Sequence, residues 1–288
     1  MIERLAWVTA RDARGRDDDE PLALAALRRN GVTVDVLDWD DPRVDWSRFE
    51  RVVLRSTWDY TDRLPEFLTW LDHVDRVSDL VNTPAAVRWN IDKRYLAELD
   101  TAGVPVTPTT FVHPGATATF PAGEFVVKPA VGAGSRDAAA YWPDQTGTAV
   151  EHIGRLHATG QTALVQPLLK SVATEGEWPL IFFDGRFSHA AVKRVELPRA
   201  RTIDEMFAPE INTAHTAAAA QIETAQAAVD LVCDRVGTPT YARVDLVRDD
   251  TGRFCVLEVE LIEPSLFLPY ADPTATDRLV ETLTGTTP

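Results

Sequence analysis

Charged residues near the C-terminal end of the chain have the types and spacing of a site for a cation and a phosphate. Arg243 and Asp245 alternate in one β-branched run. Glu258, Glu260 and Glu263 follow in and just after a second run. Residues i and i+2 share one face of a strand, so a hairpin of these runs brings three carboxylates to one side. Converging carboxylates repel unless a cation lies among them, which predicts a Mg²⁺ site; a solvated acidic face is the alternative.

The stretch EFVVKPAVGAGSRDAAAYW has the composition of a phosphate-binding loop. An apolar run ends at Lys128 and opens into small residues at 132–135. The lysine can neutralise a phosphate, and small residues let backbone N–H groups approach its oxygens. The stretch matches neither the Walker A motif nor the dinucleotide fingerprint. A Gly-rich turn with an exposed lysine is the alternative, but further cations at Lys93, Lys193 and Arg194 favour an anionic ligand.

Strand and helix signals alternate through the first part of the chain, as in a parallel sheet with helices on its faces. Strands are predicted at 3–10, 32–39 and 51–56, and a helix at 21–30. Further elements are helices at 92–101 and 213–236, a strand at 185–197, and a hairpin at 241–262 with its turn at 249–252. The segment 199–213 is predicted to be a mobile loop.

The composition is that of an ordinary globular protein of two or three packed layers or domains, with 288 residues and 45% hydrophobic residues. A net charge of -15 argues against a nucleic-acid or membrane partner, but it allows a small anion in a basic pocket. Cys233 and Cys255 form no metal-ligand or redox motif and are interpreted as reduced core thiols. No signal peptide or membrane span is recognised, so we expect a cytoplasmic protein.

The order of these parts resembles the ATP-grasp ligases. A lysine helix (NIDKRYLAEL) precedes a lid strand with a second lysine and a flap (FVVKPAVGAGSRD). A hinge strand (ALVQPLLKSVATEGEWPLIFF) and the acidic hairpin (RVDLV and LEVEL) follow. The resemblance covers about residues 82–268 and implies an α/β ATP-grasp fold with an α+β lid. It implies a Rossmann-like domain at 1–82, a helical connection at 83–110, a strand-rich lid at 111–168 and a C-terminal mixed-sheet core at 169–288.

The resemblance implies ATP and Mg²⁺ as cofactors. For ATP it implies Lys93 and Lys128 at the phosphates, Gly132, Gly134 and Ser135 in the flap, Gln166, Leu168 and Leu169 at adenine, and Glu177 or Glu175 at ribose. It implies Asp245, Glu258 and Glu260 as metal ligands, and Arg243, Lys193 and Arg194 as catalytic cations. Many family members have Asn at the position of Glu260, which leaves the ligand set open.

Substrate recognition must come from outside the ATP half, and the stretch LRSTWDYTDR follows the C-terminal end of a predicted strand, where ligands bind in open α/β sheets. Arg55 and Asp59 could grip a zwitterionic amino acid, with the arginine on the carboxylate. Trp58 and Tyr60 are alternatively core aromatics, and His189 is a pocket residue or merely packed. The candidate substrate contacts are Arg55, Thr57, Asp59, Tyr60, Arg136, His189, Glu263 and Ser265.

Within the family the chain resembles most the small enzymes that include the O-ureidoserine cyclo-ligases of D-cycloserine biosynthesis. The resemblance implies that ATP phosphorylates a carboxylate or a comparable carbonyl oxygen of a small amino-acid-like substrate. An amine of the same molecule then captures the acylphosphate. A two-substrate amino-acid or peptide ligase similar to glutathione synthetase is the main alternative, and a non-catalytic ATP-binding protein is another. Dimers are common among relatives, so the resemblance allows a homodimer.

Overall fold

A computed structural model describes residues 2–195, 199–200 and 210–285 of the chain. The N-terminal part forms a parallel four-stranded sheet of order β2-β1-β3-β4. Its strands are β1 (Arg4–Thr9), β2 (Thr33–Asp38), β3 (Arg51–Ser56) and β4 (Asp79–Val81), and its helices are α1 (Glu20–Arg29) and α2 (Leu64–Asp75). The predicted parallel sheet is confirmed, and the bounds of its predicted elements lie within one residue of those expected. Helix α2 and strand β4 had not been predicted.

Two short helices connect this sheet to the lid, α3 (Pro84–Asn90) and α4 (Tyr95–Thr101). The helix predicted at 92–101 begins at Tyr95, because the Asp92 carboxylate accepts the backbone N–H of Arg94 in a turn before the helix. Lys93 therefore lies in the turn between the helices, where its N–H donates to the carbonyl of Ala130. This turn carries the lysine to the edge of the lid.

The lid is an antiparallel four-stranded sheet of order β5-β8-β6-β7, with one helix packed on it. Its elements are β5 (Thr110–Val112), β6 (Phe125–Pro129), β7 (Ala139–Tyr141), α5 (Thr146–Ala158) and β8 (Ala163–Pro167). Phe125 and Val127 point into the small core beneath α5. Alternation along the strand then directs Lys128 to the opposite face, where its side chain remains 14% exposed.

The C-terminal part is built on a five-stranded sheet of order β11-β10-β9-β12-β13. Its elements are α6 (Lys170–Thr174), β9 (Trp178–Phe183), β10 (Arg186–Val195), β11 (Glu210–His215), α7 (Ala219–Val236), β12 (Tyr241–Arg248), β13 (Phe254–Glu260) and α8 (Ala275–Thr284). The pairs between these strands are antiparallel, and an isolated parallel bridge joins Val256 to Val106. The predicted hairpin is confirmed as β12 and β13.

The helix predicted at 213–236 begins later than expected, at Ala219. Residues 213–215 belong instead to β11, where Thr213 pairs with Val192 of β10. The Gln221 side chain accepts the N–H of Ala218 and so caps the helix at its actual start. Of the loop predicted at 199–213, residues 201–209 lie outside the described part of the chain.

The N-terminal sheet packs directly on the C-terminal sheet through a shared apolar core. Leu5 and Trp7 of β1 join Ile181 of β9, Tyr241 of β12 and Leu279 of α8 in one buried cluster. The two parts are therefore held in one relative position by close packing. None of the helices in the described part of the chain has the length and apolar character that a bilayer crossing demands.

Candidate active site

A cleft of about 1340 Å³ lies between the lid, the C-terminal sheet and the turn that follows β3. It is larger than an ordinary small-ligand pocket of roughly 300–1,000 Å³. Most of the predicted site residues line it: Tyr60, Lys93, Lys128, Gly132, Gly134, Ser135, Arg136, Gln166, Leu168, Leu169, Glu177, Lys193, Arg194, Arg243, Asp245, Glu258, Glu260, Glu263 and Ser265.

The hairpin register brings the charged residues of β12 and β13 face to face. Arg243 is paired with Glu260, and Asp245 with Glu258. The Arg243 guanidinium binds both oxygens of Asp245, with Nε–Oδ1 at 2.8 Å and Nη2–Oδ2 at 2.9 Å. It also contacts Glu260 through Nη2. The predicted convergence of carboxylates on one side of the hairpin is confirmed, and an arginine lies among them.

Three lysines from separate parts of the chain form ion pairs with carboxylates of the cleft. Lys93 Nζ lies 3.0 Å and Lys128 Nζ 3.5 Å from the carboxylate of Glu258. Lys193 Nζ, from β10, lies 2.7 Å from Glu177 and 3.2 Å from Asp245. The cleft is thus lined by paired cations and carboxylates. A ligand that brings both phosphates and a cation could replace these ion pairs, with its phosphates on the lysines and its cation on the carboxylates.

The two lysines that share Glu258 have opposite pKa shifts. Burial lowers the pKa of Lys128, and the neighbouring Lys93 charge adds to this, so the pKa is below its usual value. Burial also lowers the pKa of Lys93, but the charge and hydrogen bond of Glu258 together with the charges of Glu260 and Glu263 outweigh it, and the pKa is raised. Burial raises the pKa of Glu258, yet Lys93 and Lys128 together hold it below its usual value. The Glu258 carboxylate is therefore a charged anchor for both ammonium groups.

Glu260 and Glu263 are less well compensated. Burial raises the pKa of Glu260 to about 8, because the Asp245 and Glu258 charges act with burial against the single attraction of Arg243. Burial likewise raises the pKa of Glu263. Both carboxyl groups are therefore shifted toward their neutral forms at this end of the cleft.

The carboxylates have the chemistry of a Mg²⁺ site without forming one by themselves. In the described part of the chain no three His, Cys, Asp or Glu side chains are grouped closely enough to hold a metal ion. Asp245, Glu258 and Glu260 point instead to Arg243 and the lysines. Since Mg²⁺ takes one or two carboxylates together with waters and substrate phosphates, this donor set fits the ion.

The flap at 132–136 lines the cleft between the lid and the N-terminal domain, and Asp137 follows it. Gly132 accepts a hydrogen bond of 2.7 Å from Lys93 Nζ through its carbonyl. Arg136 forms an ion pair with Asp62, in the turn that follows β3. Ser135 and Asp137 have left-handed backbone conformations, with φ of 62° and 55°. The flap is thus anchored at both ends by charged side chains.

Several predicted contacts lie away from the cleft. Arg55 is 1% exposed and donates to the carbonyl of Pro264 at 2.7 Å. Thr57 is fully buried, and the Asp59 carboxylate accepts the indole N–H of Trp39 at 2.8 Å. His189 Nε2 is 2.6 Å from the carbonyl of Leu266. None of these four residues lines the cleft, and Arg55, Thr57 and His189 are buried, so we no longer assign them to substrate contacts.

Glu175 and Glu177, the two predicted ribose contacts, are separated by the turn before β9. Glu175 lies outside the cleft and pairs with Arg248 at 3.4 Å, with 40% of its side chain exposed. Glu177 lines the cleft and pairs with Lys193. The geometry therefore favours Glu177 over Glu175 as the candidate ribose contact.

Two residues of the cleft had no recognised sequence signal. Asn90 accepts the N–H of Leu261 and donates to the carbonyl of Val259, so it holds the end of β13. A single asparagine at the end of a short helix gives no pattern by which it could be found. Phe267 lines the cleft with a left-handed φ of 53°, which no motif in the sequence indicates.

The comparisons with known proteins agree over nearly the whole chain. A family model for the N-terminal domain of D-cycloserine synthetase DcsG matches residues 5–82. The cycloserine biosynthesis protein DcsG of Streptomyces lavendulae is 41% identical over 93% of this chain and 94% of that protein. The crystal structure of D-cycloserine synthetase DcsG has a TM-score of 0.90 at 39% identity and covers 98% of this chain and 99% of that chain.

More distant structures share the fold. D-alanine–D-alanine ligase from Bacillus anthracis has a TM-score of 0.70 at 15% identity, covering 99% of this chain and 97% of that chain. Solved complexes of this fold, at 14% and 18% identity, hold ATP or Mg and ADP. Because the similarity to DcsG extends over almost all of both chains, this protein belongs to the family of ATP-grasp ligases that contains DcsG.

Proposed function

We propose that the protein is an ATP-dependent cyclo-ligase that converts O-ureido-D-serine to D-cycloserine. The observation that supports the ATP-binding part of the proposal is the pairing of one partly buried carboxylate, Glu258, with both Lys93 and Lys128. Two ammonium groups from different elements converge there, beside a flap of small residues. The similarity to DcsG over nearly the whole chain supports the choice of organic substrate.

In this proposal the triphosphate replaces Glu258 as the partner of two lysines. Lys93 and Lys128 bind the α- and β-phosphates, with the flap 132–136 over them. Backbone groups at 166–169 bind adenine, and Glu177 binds the ribose hydroxyls. The cleft lining supports this arrangement, since all of these groups face one continuous space.

Asp245, Glu258 and Glu260 would hold Mg²⁺. The ion would supply charge neutralisation for the phosphoryl group during transfer. The residues of the chain then act by binding and orientation. Arg243, fixed by its bidentate contact with Asp245, is directed at the transferred phosphoryl group, and Lys193 and Arg194 add positive charge beside it.

The proposed reaction has three steps. A carboxylate oxygen of the substrate attacks the γ-phosphorus, the bond to the bridging oxygen breaks, and ADP leaves. The nitrogen bound to the side-chain oxygen then attacks the acyl carbon, loses its proton and expels phosphate as the ring closes. The remaining carbamoyl group takes up one water and leaves as ammonia and carbon dioxide. The described cleft offers charge and positioning for these steps and requires no protein nucleophile.

The substrate lies in this proposal against Tyr60, Arg136, Glu263 and Ser265. Glu263 is 6% exposed and offers the carboxyl group with which the substrate ammonium group pairs in this proposal. Arg136, on the flap, offers its guanidinium to the carboxylate side of the substrate. The predicted cytoplasmic location and homodimer stay predictions.

ADP release tests the proposal. Wild-type protein is given Mg²⁺-ATP with O-ureido-D-serine alone, then with amino acids singly and in pairs, and product masses are recorded. Turnover with the single compound, together with ammonia and a cyclic product, is the expected result. Turnover only with pairs would make the protein a condensing ligase, and ATP binding without turnover would make it a non-catalytic binding protein.

A further inference from the structure

The loop that follows β13, residues 261–268, forms the substrate side of the cleft and is held from behind by buried side chains. Trp58 donates its indole N–H to the carbonyl of Glu263 at 3.2 Å. Arg55 Nη2 donates to the carbonyl of Pro264 at 2.7 Å. The N–H groups of residues 266 and 268 both donate to the carboxylate of Asp19, at 2.8 Å for the latter. The N-terminal domain thus holds the backbone on which Glu263 and Ser265 are carried.

Arg55 and Asp19 form this support as a buried charged pair. They are 1% and 2% exposed, and Arg55 Nη2 lies 3.7 Å from the Asp19 carboxylate. The guanidinium is also sandwiched at 5.3 Å from each of the rings of Trp7 and Tyr241. Burying such a pair contributes little net stability compared with apolar residues of similar size. The hydrogen bonds of this pair to the loop backbone instead fix the loop in one position.

The backbone of the loop is strained at the point that Asp19 grips. Phe267 has a left-handed φ of 53°, a conformation in which the Cβ of a non-glycine residue crowds the following carbonyl oxygen. The two amides bound by Asp19 flank this residue, so the carboxylate holds the strained conformation in place. The Phe267 ring in turn lies 5.6 Å beneath the Arg243 guanidinium, which also donates to the carbonyl of Ser265 at 3.3 Å.

We propose that Arg55 and Asp19 are positioning residues that hold the 261–268 loop in the conformation that binds the organic substrate. Neither residue lines the cleft, and both act through the backbone that carries Glu263 and Ser265. The kinetic part of this proposal rests on the proposed function. The structural part concerns the loop alone and stands independently of the substrate.

Arg55→Lys and Asp19→Asn test the proposal, with Arg51→Lys as the matched control. Arg51 lies on the same face of β3 and donates to the carbonyl of Leu283 in α8 at 2.7 Å, so it is also a guanidinium contact between the N-terminal sheet and the C-terminal part, but away from the 261–268 loop. Lysine keeps the charge of Arg55 and loses its planar fork, and asparagine leaves one of the two Asp19-bound amides without an acceptor.

For both test variants we expect the KM for O-ureido-D-serine to rise about tenfold, while the KM for ATP stays within about twofold of wild type. Hydrogen exchange in the 261–268 peptide should become faster in Arg55→Lys and Asp19→Asn, and should stay unchanged in Arg51→Lys. A purely structural role would lower the melting temperature and change neither the ratio of the two KM values nor local exchange.

Equal changes in both KM values, or unchanged exchange in the loop, would overturn the proposal. If one variant fails to fold, the other carries both measurements. If wild-type protein has no turnover with O-ureido-D-serine, the proposed function fails. The exchange measurement then decides by itself whether Arg55 and Asp19 hold the loop.

Discussion

At the scale of single residues, Glu258 is the side chain on which the ATP half of the cleft depends. It pairs with Lys93 and Lys128 and is a proposed Mg²⁺ ligand. We expect Glu258→Gln to lower the rate of ADP release by about 10²–10³-fold, because the amide cannot balance the lysines or bind the ion as a carboxylate does. A coupled assay for ADP measures this.

The matched control is Glu175→Gln, which removes a carboxylate outside the cleft that pairs only with half-exposed Arg248 among the contacts described. This variant should release ADP at nearly the wild-type rate, since exposed ion pairs contribute little. Circular dichroism should show both variants folded. Near-normal turnover in folded Glu258→Gln would contradict the assigned role.

At the scale of elements, the turn from α6 into β9 places Glu177 beside Lys193. Gly176 has a φ of +88°, and a Cβ there would lie 2.8 Å from the carbonyl oxygen of Lys193. Gly176→Ala should therefore cost roughly 1–2 kcal/mol for the backbone conformation plus about 1–3 kcal/mol for overpacking. The KM for ATP should also rise, because the backbone bridge between Glu177 and Lys193 is pushed apart. Urea unfolding and ATP kinetics give the two measurements.

Gly160→Ala is the control that has the cost of the backbone conformation without the cost of overpacking. Gly160 also has a positive φ, +78°, but a Cβ there meets nothing within 4 Å. It should lose only the roughly 1–2 kcal/mol of the backbone term and keep the wild-type KM for ATP. Equal destabilisation in the two alanine variants would show that the contact at Lys193 has no energetic effect.

At the scale of the whole molecule, the packing of the two sheets makes stability depend on pH through buried His189. Burial lowers its pKa to about 4, against the weaker effect of its hydrogen bond to Leu266. The unfolded chain then binds more protons than the native protein between pH 4 and 6.5, so His189 lowers stability as pH falls through this window. His189→Gln should remove this contribution, about 1.4 kcal/mol per pH unit for one proton.

The free energy of unfolding, measured by urea titration between pH 4 and 7, tests this. Asp19 acts in the opposite direction, because burial raises its pKa to about 6, so the informative quantity is the difference between variant and wild type. His73→Gln, at an exposed position on α2, is the control for loss of an imidazole. Parallel profiles for wild type and His189→Gln would contradict the prediction.

The sequence by itself determined the local geometry of the candidate site. Two-residue alternation set the facing carboxylates of β12 and β13, and the boundary of an apolar run placed Lys128 at the end of its strand. These features follow from strand geometry, which acts over a few residues. For the same reason the bounds of most elements were close to those predicted.

Only the tertiary structure decided which charged residues face the cleft. Arg55 and His189 have strand patterns like those of cleft residues, but both are buried against the 261–268 loop, where they contact the carbonyls of Pro264 and Leu266. Glu175 and Glu177 are separated by the turn at Gly176, and the start of α7 was displaced because 213–215 pair with β10. Burial and strand pairing depend on residues distant in the chain, and local sequence patterns do not contain that information.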